Sequence, residues 1–291
     1  MSISAVMVKD LRTQSGAGIM ECKDALKESN GDLDAALELL RKKGTVKAAK
    51  KADRSTKEGA IGGLVEGGKA AIIEIKCETD FVARNDKFQE LCGNLASHVL
   101  KTGAVDTADE LLGQPLVNDA SKTVKDLMTE KIHELGENLV LGRTAMYELD
   151  GAGGFGLYIH GAGSIGVLVE VTCSDEKAAE KERFTDVCRD LAMHIAAAAP
   201  IAVTQADVPA DTVAKEKEIF TAQAKESGKP DKIIPKIIEG RVKKYFTEIV
   251  LLEQAFVKDP DLSISEFLAD ASRNLGADIS VKRFTRLQLG E

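Results

Sequence analysis

Apolar positions along the chain recur first at helical spacing and then at strand spacing. Val8 and Leu11 mark a stripe that "SGAG" (15–18) interrupts, and Ile19, Cys22 and Leu26 follow three or four residues apart. "NGD" (30–32) resets the chain, with Asp32 as an N-cap and Leu33, Leu37 and Leu40 as a third stripe. Gly44 is expected to close that helix. Residues 1–43 therefore predict a compact three-helix unit.

From residue 60 the pattern changes. "AIGGLV" and "AAIIEIKC", joined by "EGGK", predict a β-hairpin. Phe88, Leu91, Cys92, Leu95 and Val99 then recur as one face of an amphipathic helix. Residues 119–135 ("DASKTVKDLMTEKIHEL") predict a helix, and "ENLVLGRTAMYEL" a strand. Further on, "TVAKEKEIFTAQAKESGKP" and "KPDKIIPKIIEGRVKKYFTEIV" carry two apolar stripes around a Ser-Gly-Lys-Pro turn, an antiparallel helical hairpin. Pro235 confines the start of its second helix to that point, where amides lack intrahelical partners anyway. The tail offers one short helix over 263–276, followed by "ISVKRFTRLQL".

The chain contains a repeat. "IIEIKC" (72–77) resembles "LVEVTC" (168–173), and "FQELCGNLASHV" (88–99) resembles "FTDVCRDLAMHI" (184–195), all at an offset of 96. Eight of 28 ungapped positions are identical, where chance gives about two. Two copies of a strand–loop–helix unit are expected. The segments between strand and helix differ: "ETDFVARNDK" in the first copy, "SDEKAAEKER" in the second, so Phe81 stands opposite Lys177. A phenylalanine needed by the shared core should occur in both copies. Phe81, beside Asp80 and the polar "ARND", reads instead as an aromatic anchor for a partner.

Composition narrows the class. With 291 residues, 44% of them apolar and 30% charged, the chain can build two or three cores. No apolar run approaches the roughly 18 residues that span a bilayer, and no secretory signal is expected from "MSISAVMVKDLRTQ". Five cysteines without a CxxC argue for free thiols in a reducing, cytoplasmic compartment. A net charge of −8 disfavours direct nucleic-acid binding. Residues 41–57 hold eight Lys or Arg against Asp53 alone, a solvated basic linker or, alternatively, a dock for an acidic surface.

Catalytic chemistry finds little footing. "GAGGFG" (151–156) and "GAGSIG" (161–166) match a dinucleotide-binding pattern, but the second precedes a strand rather than a helix, and both read as turns. No GxxxxGK[ST] occurs. Cys77, Cys92 and His98, echoed by Cys173, Cys188 and His194, offer three ligands per copy where structural zinc takes four, and the cysteines fall on apolar faces, so core packing is expected. His133 and His160 stand alone. The expectation is a protein-binding module, with no cofactor, no resident metal and no enzyme activity. A pure assembly protein and a thiol- or metal-dependent enzyme remain as alternatives.

"SGAGIMECKDAL", "NGDLDAALELLRKKG", "CETDFVARNDKF", "HGAGSIGVLVEV", "LAMHIAA" and "EGRVKKYF" together resemble the bacterial elongation factor Ts family, in order and over essentially the whole chain. Ser164, where that family often has a basic residue, and Pro235 depart from it. The resemblance implies an α+β fold: a three-helix module like ubiquitin-associated domains, a duplicated core with antiparallel sheets, a protruding helical hairpin and a C-terminal helical module. The implied division is 1–44 for the three-helix partner-binding module, 45–59 for the basic linker, 60–145 and 146–208 for the two repeats, 209–258 for the hairpin and its return, and 259–291 for the C-terminal module. It also implies guanine-nucleotide exchange on elongation factor Tu. Thr79, Asp80, Phe81 and Val82 would wedge into the partner and dislodge its Mg²⁺. Val8, Arg12 and Met20, and Leu135, Gly136 and His160, would make further contacts. The sequence leaves open whether the hairpin pairs with a second copy to form a homodimer.

Overall fold

The computed structural model describes residues 3–103, 107–226 and 232–291, the side chain of Lys47 excepted. Helices α1 (Ala5–Ser15), α2 (Ile19–Glu28) and α3 (Leu33–Lys51) come first. Next are β1 (Glu58–Glu66), β2 (Lys69–Cys77), α4 (Asp80–Ala83), α5 (Asp86–Thr102), α6 (Ala108–Gly113), β3 (Pro115–Leu116), β4 (Asp119–Thr123), α7 (Val124–Leu135) and β5 (Val140–Glu148). Strands β6 (Gly153–His160) and β7 (Ile165–Cys173) then lead to α8 (Glu176–Ala179) and α9 (Glu182–Ala198). Finally come α10 (Ala210–Glu226), α11 (Ile234–Ile249), β8 (Ala255–Phe256), β9 (Asp259–Ser263), α12 (Ile264–Leu275) and β10 (Ile279–Gln288). The fold is of the expected α+β class, with every ladder between named strands antiparallel.

Two three-stranded sheets, ordered β1-β2-β5 and β10-β7-β6, form the core. On one face, β2 packs Ala71, Ile73, Ile75 and Cys77 with Phe88, Leu91, Cys92 and Leu95 of α5. In the second copy, β7 packs Val167, Val169, Val171 and Cys173 with Phe184, Val187, Cys188 and Leu191 of α9. The alternation along each strand sends Ile72 and Leu168 to the opposite faces, where they meet Ile61, Ala70, Tyr147 and Leu287 between the sheets.

The repeat extends further than the offset of 96 reveals. Beyond the first helix of each copy it continues at an offset of 140: Gln114 matches Gln254, Leu135 matches Leu275, Gly136 matches Gly276 and Arg143 matches Arg283. The increase is the α10–α11 hairpin, inserted into the second copy after α9. The expected C-terminal helix is present as α12, and the same stretch supplies β10, which pairs with β7 from Ile279 to Gln288. Residues 259–291 thus complete the second core and do not stand apart from it.

Three local readings change. Residues 119–123 are strand β4, and the helix starts at Val124, because Thr123 and Asp126 form a reciprocal capping box. Helix α3 passes through Gly44 to Lys51, so part of the expected linker is helical. Tertiary packing explains this: Gly44 comes close to His133, Ala48 packs on the first core and the Lys51 ammonium donates to the Ile132 carbonyl. Such packing outweighs the roughly 1 kcal/mol that one glycine costs a helix. Cations of the basic run pair within the chain, among them Arg41 with Glu130, Lys42 with Glu38, Lys43 with Glu28 and Arg54 with Glu78. In the hairpin, Arg241 donates to Gln223 and Phe220 meets Tyr245 edge-on, as antiparallel helices require. Pro235 is the second residue of α11, while the Ser-Gly-Lys-Pro turn lies outside the described residues.

Helix α5 lies on its sheet at a distance only glycine permits, and α9 does the same. A Cβ at Gly62 would sit 2.9 Å from Cys92 Cβ, and one at Gly156 would sit 2.0 Å from the Cys188 carbonyl oxygen. Gly156→Ala is expected to destabilise the protein by about 3 kcal/mol in chemical denaturation. Gly93→Ala, at an exposed helical site with open space around it, should instead be stabilising.

Helix α7 is tied to α5 through Glu134, which accepts from Lys131 and from Lys87. Burial raises the Glu134 pKa, but the hydrogen bonds and charges of Lys131 and Lys87 outweigh it and hold the carboxyl below its usual value of 4.5. A depressed carboxylate contributes stability that is fully present above its unfolded pKa and is lost as pH falls through the folded one. Wild type should therefore lose more stability than Glu134→Gln when titrated downward from pH 4.5, and thermal unfolding across that window checks it.

Candidate partner-binding site

The first copy's strand β2 ends in a sharp turn that the chain builds with its own side chains. The Cys77 thiol donates to the Thr79 carbonyl, and the Thr79 hydroxyl accepts from the Val82 amide to cap α4. Val82 packs against the first core and Ala83 is buried, which pins one side of this single helical turn. Phe81 leaves on the other side and is 84% exposed. By contrast Phe88, seven positions on, is fully buried. Asp80 lies 3.7 Å from the Arg84 guanidinium, in the first turn of the helix, where a negative charge suits the dipole.

The second copy corrects one expectation. The segment reads as a mismatch in sequence, yet its backbone repeats: α8 is again a four-residue helix, capped by Asp175 and followed by a second N-cap before α9. Only the side chains differ, and Lys177 stands exposed where Phe81 stands. The turn can therefore be made without an aromatic residue.

The root of α4 is held from the α7–β5 connection. Glu137 accepts from the backbone amides of Glu78 and Thr79 at 3.1 and 3.0 Å and from the Thr79 hydroxyl at 2.6 Å. The Glu78 carboxylate accepts from the Asn138 amide at 2.7 Å and from Arg54 at 3.2 Å. The Asn138 bond, aided by Arg54 and opposed by burial, keeps the Glu78 pKa low. Asn138 itself is buried and donates to the Ala52 and Arg54 carbonyls. None of Arg54, Glu137 and Asn138 stands out in the sequence. The one signal is that Glu137 and Asn138 directly follow the helix-ending Gly136, opposite Ala277 and Asp278 in the second copy.

Leu135 and Gly136 close α7, Gly136 in the left-handed conformation that donates its amide to Ile132, so both lie beside this root. His160 ends β6, exposed and within 2.9 Å of the Tyr158 hydroxyl. Its turn lies near the end of α4, because the Gln89 side chain donates to the carbonyls of both Ala83 and Ala162. In the three-helix unit, Val8 and Arg12 line a groove with Ile3, Ile19 and Lys23, and Met20 is 63% exposed. That unit reaches the site through α7: a carboxylate oxygen of Glu21 in α2 lies 3.1 Å from His133 Nε2, and Gly16 faces Glu134.

The duplicated Cys and His residues belong to the cores. Burial pushes the thiols of Cys77, Cys92 and Cys188 up to about 12 and lowers the His194 pKa, an environment for packing rather than reaction. His98 and His194 each meet a glutamine, Gln114 and Gln254, at 2.9 Å. "GAGGFG" leads into β6 and "GAGSIG" forms the turn into β7. Among the described residues, no helix is long and apolar enough to cross a membrane.

Comparison with known proteins agrees with this architecture. A family model described as "Elongation factor TS" matches residues 78–291. Over 293 residues the chain is 45% identical to an elongation factor Ts from Trichlorobacter lovleyi, covering 100% of this chain and 94% of the relative. It is 45% identical over 290 residues to one from Bdellovibrio bacteriovorus, covering 100% and 93%, and 44% identical over 291 residues to one from Clostridium botulinum, covering 99% and 93%. A protein of translation elongation, this chain belongs to the elongation factor Ts family.

Proposed function

We propose that this protein is a guanine-nucleotide exchange factor, acting in the cytoplasm on elongation factor Tu without catalysing bond chemistry itself. It binds the GDP-loaded GTPase, presses Thr79, Asp80, Phe81 and Val82 into it, and dislodges the Mg²⁺ that bridges protein and phosphates. Val8, Arg12 and Met20 make a second set of contacts, and Leu135, Gly136 and His160 a third. The observation that carries this reading is Phe81, a large aromatic side chain that the protein's own fold holds out in water.

The energetics are consistent. Fully burying a phenyl ring is worth about 1.5–3 kcal/mol, so its burial site on a partner supplies a strong local driving force. A packed helical interface responds to an inserted ring by shifting as a unit. Removing Mg²⁺ leaves phosphate charge unneutralised, which weakens diphosphate binding. Linkage requires that bound GDP weaken the factor's grip by the same ratio, and a coupling of about 3 kcal/mol corresponds to roughly 150-fold. Phe81 alone supplies part of such a coupling, and the remaining contacts supply the rest.

Stopped-flow release of fluorescent GDP from elongation factor Tu tests the reading. Wild type should accelerate release, and Phe81→Ala should do so about ten- to a hundredfold less. The same substitution should change the stability of the free factor by less than about 0.5 kcal/mol, because the ring is solvent-exposed. A wild-type protein that binds without accelerating release would be a docking protein, and the exchange reading would fall.

A further inference from the structure

The two copies solve one problem, capping a four-residue helix at the end of a strand, in two ways. In the second copy the Asp175 carboxylate accepts directly from the Ala178 amide at 2.7 Å. A carboxylate has no proton to place, so this cap needs nothing further. The strand end is then tied down by Ser174, whose amide donates to the Asp278 carbonyl and whose hydroxyl accepts from the Asp278 amide. Ala277, opposite Glu137, takes no part in these bonds.

In the first copy the cap is a hydroxyl. Thr79 accepts from the Val82 amide at 3.3 Å, a longer contact, and its own proton must go elsewhere. It goes to Glu137 at 2.6 Å, whose other oxygen takes the amides of Glu78 and Thr79. Three donors on one carboxylate are charge-assisted bonds, stronger and more directional than neutral ones. The carboxylate thus sits only in the copy that carries Phe81.

We infer that Glu137 is a positioning residue for exchange: by clamping the Thr79 cap it fixes α4, and α4 fixes the direction in which Phe81 enters the partner. The inference rests on the exchange reading above. An exposed ring on a single turn of helix has no packing of its own to orient it, so its aim depends on the helix root. A ring that swivels loses more of its driving force on ordering than one held in place. The Phe81 side chain supplies the contact and Glu137 supplies its geometry.

The test uses full-length protein with Glu137→Ala, Glu137→Gln, Phe81→Ala and the double substitution Phe81→Ala/Glu137→Ala. The maximal rate of GDP release from elongation factor Tu and amide exchange in the free factor are both measured. Glu137→Ala should lower the maximal rate about five- to tenfold, and Glu137→Gln, which keeps an accepting oxygen for the two amides, should recover most of it. The double variant should be no slower than Phe81→Ala alone, since an aim without a ring has no effect. In the free factor, Val82 and Ala83 amides should exchange faster in Glu137→Ala while those of α5 stay protected. Release as fast as wild type in Glu137→Ala, or a full additive loss in the double variant, overturns the inference, as do unchanged Val82 and Ala83 amides. If wild type itself does not accelerate release, the exchange reading falls and the amide measurement still decides whether Glu137 holds α4. Should Glu137→Ala not fold, Glu137→Gln carries both measurements, with slower release and faster exchange expected to lesser degree.

Discussion

Two carboxylates buried between the sheets govern how the rest of the molecule is assembled. Glu74 and Glu170 are fully shielded from water, and each meets an arginine from the neighbouring strand of its own sheet, Arg143 at 3.1 Å and Arg283 at 2.6 Å. Gly142 leaves the space that the first pair needs, since a Cβ there would fall 2.4 Å from Glu74. A buried carboxylate without its partner costs several kcal/mol, so strand pairings that separate the pair are strongly disfavoured. Arg143 also reaches the Gln288 carbonyl of the other sheet at 2.6 Å, and Arg283 lies over the Tyr147 ring. The pairs therefore join the copies as well as the strands. A further contact between the copies has the Ile61 amide donating to the Gly163 carbonyl, and the Gln89 side chain ties the turn after His160 to the end of the helix that carries Phe81.

Much of this was legible along the chain, because a strand and an amphipathic helix advertise themselves by spacing alone. The β1–β2 hairpin, α5, α9, α12 and both hairpin helices fall where apolar residues recur. What spacing hides is competition from elsewhere in the fold. Gly44 looks like a terminus until α7 packs against it, and "DASKT" looks helical until Thr123 caps the following residue. The second half of the repeat was obscured by the inserted hairpin, which shifts the offset and leaves only scattered identities such as Gln114 with Gln254.

The candidate site was half readable. Phe81 stands out because its counterpart is a lysine, a comparison that needs only the repeat. The residues that hold it do not stand out, because Glu137, Asn138 and Arg54 are polar residues in polar surroundings whose partners lie far off in the chain. Their importance comes from three-dimensional closure, in which amides at a strand end lack partners until a distant carboxylate arrives. The duplicated scaffold makes the difference visible: the same backbone turn carries an exposed phenyl ring in one copy and an ordinary charged surface in the other.

The hairpin insertion has a consequence for how this molecule tolerates change. Its two ends are clasped together where it leaves the core, through the Ala202–Val250 bridge, the Ile201 amide on the Ile249 carbonyl and the Leu251 amide on the Ala202 carbonyl. Chain that departs from and returns to one clasp can lengthen or shorten without moving either sheet. Closing a longer loop adds only about 0.6 kcal/mol per doubling. The arm is thus a graft point, where evolution or a protein engineer can exchange one reach for another while both three-stranded sheets and the turn that carries Phe81 stay in place.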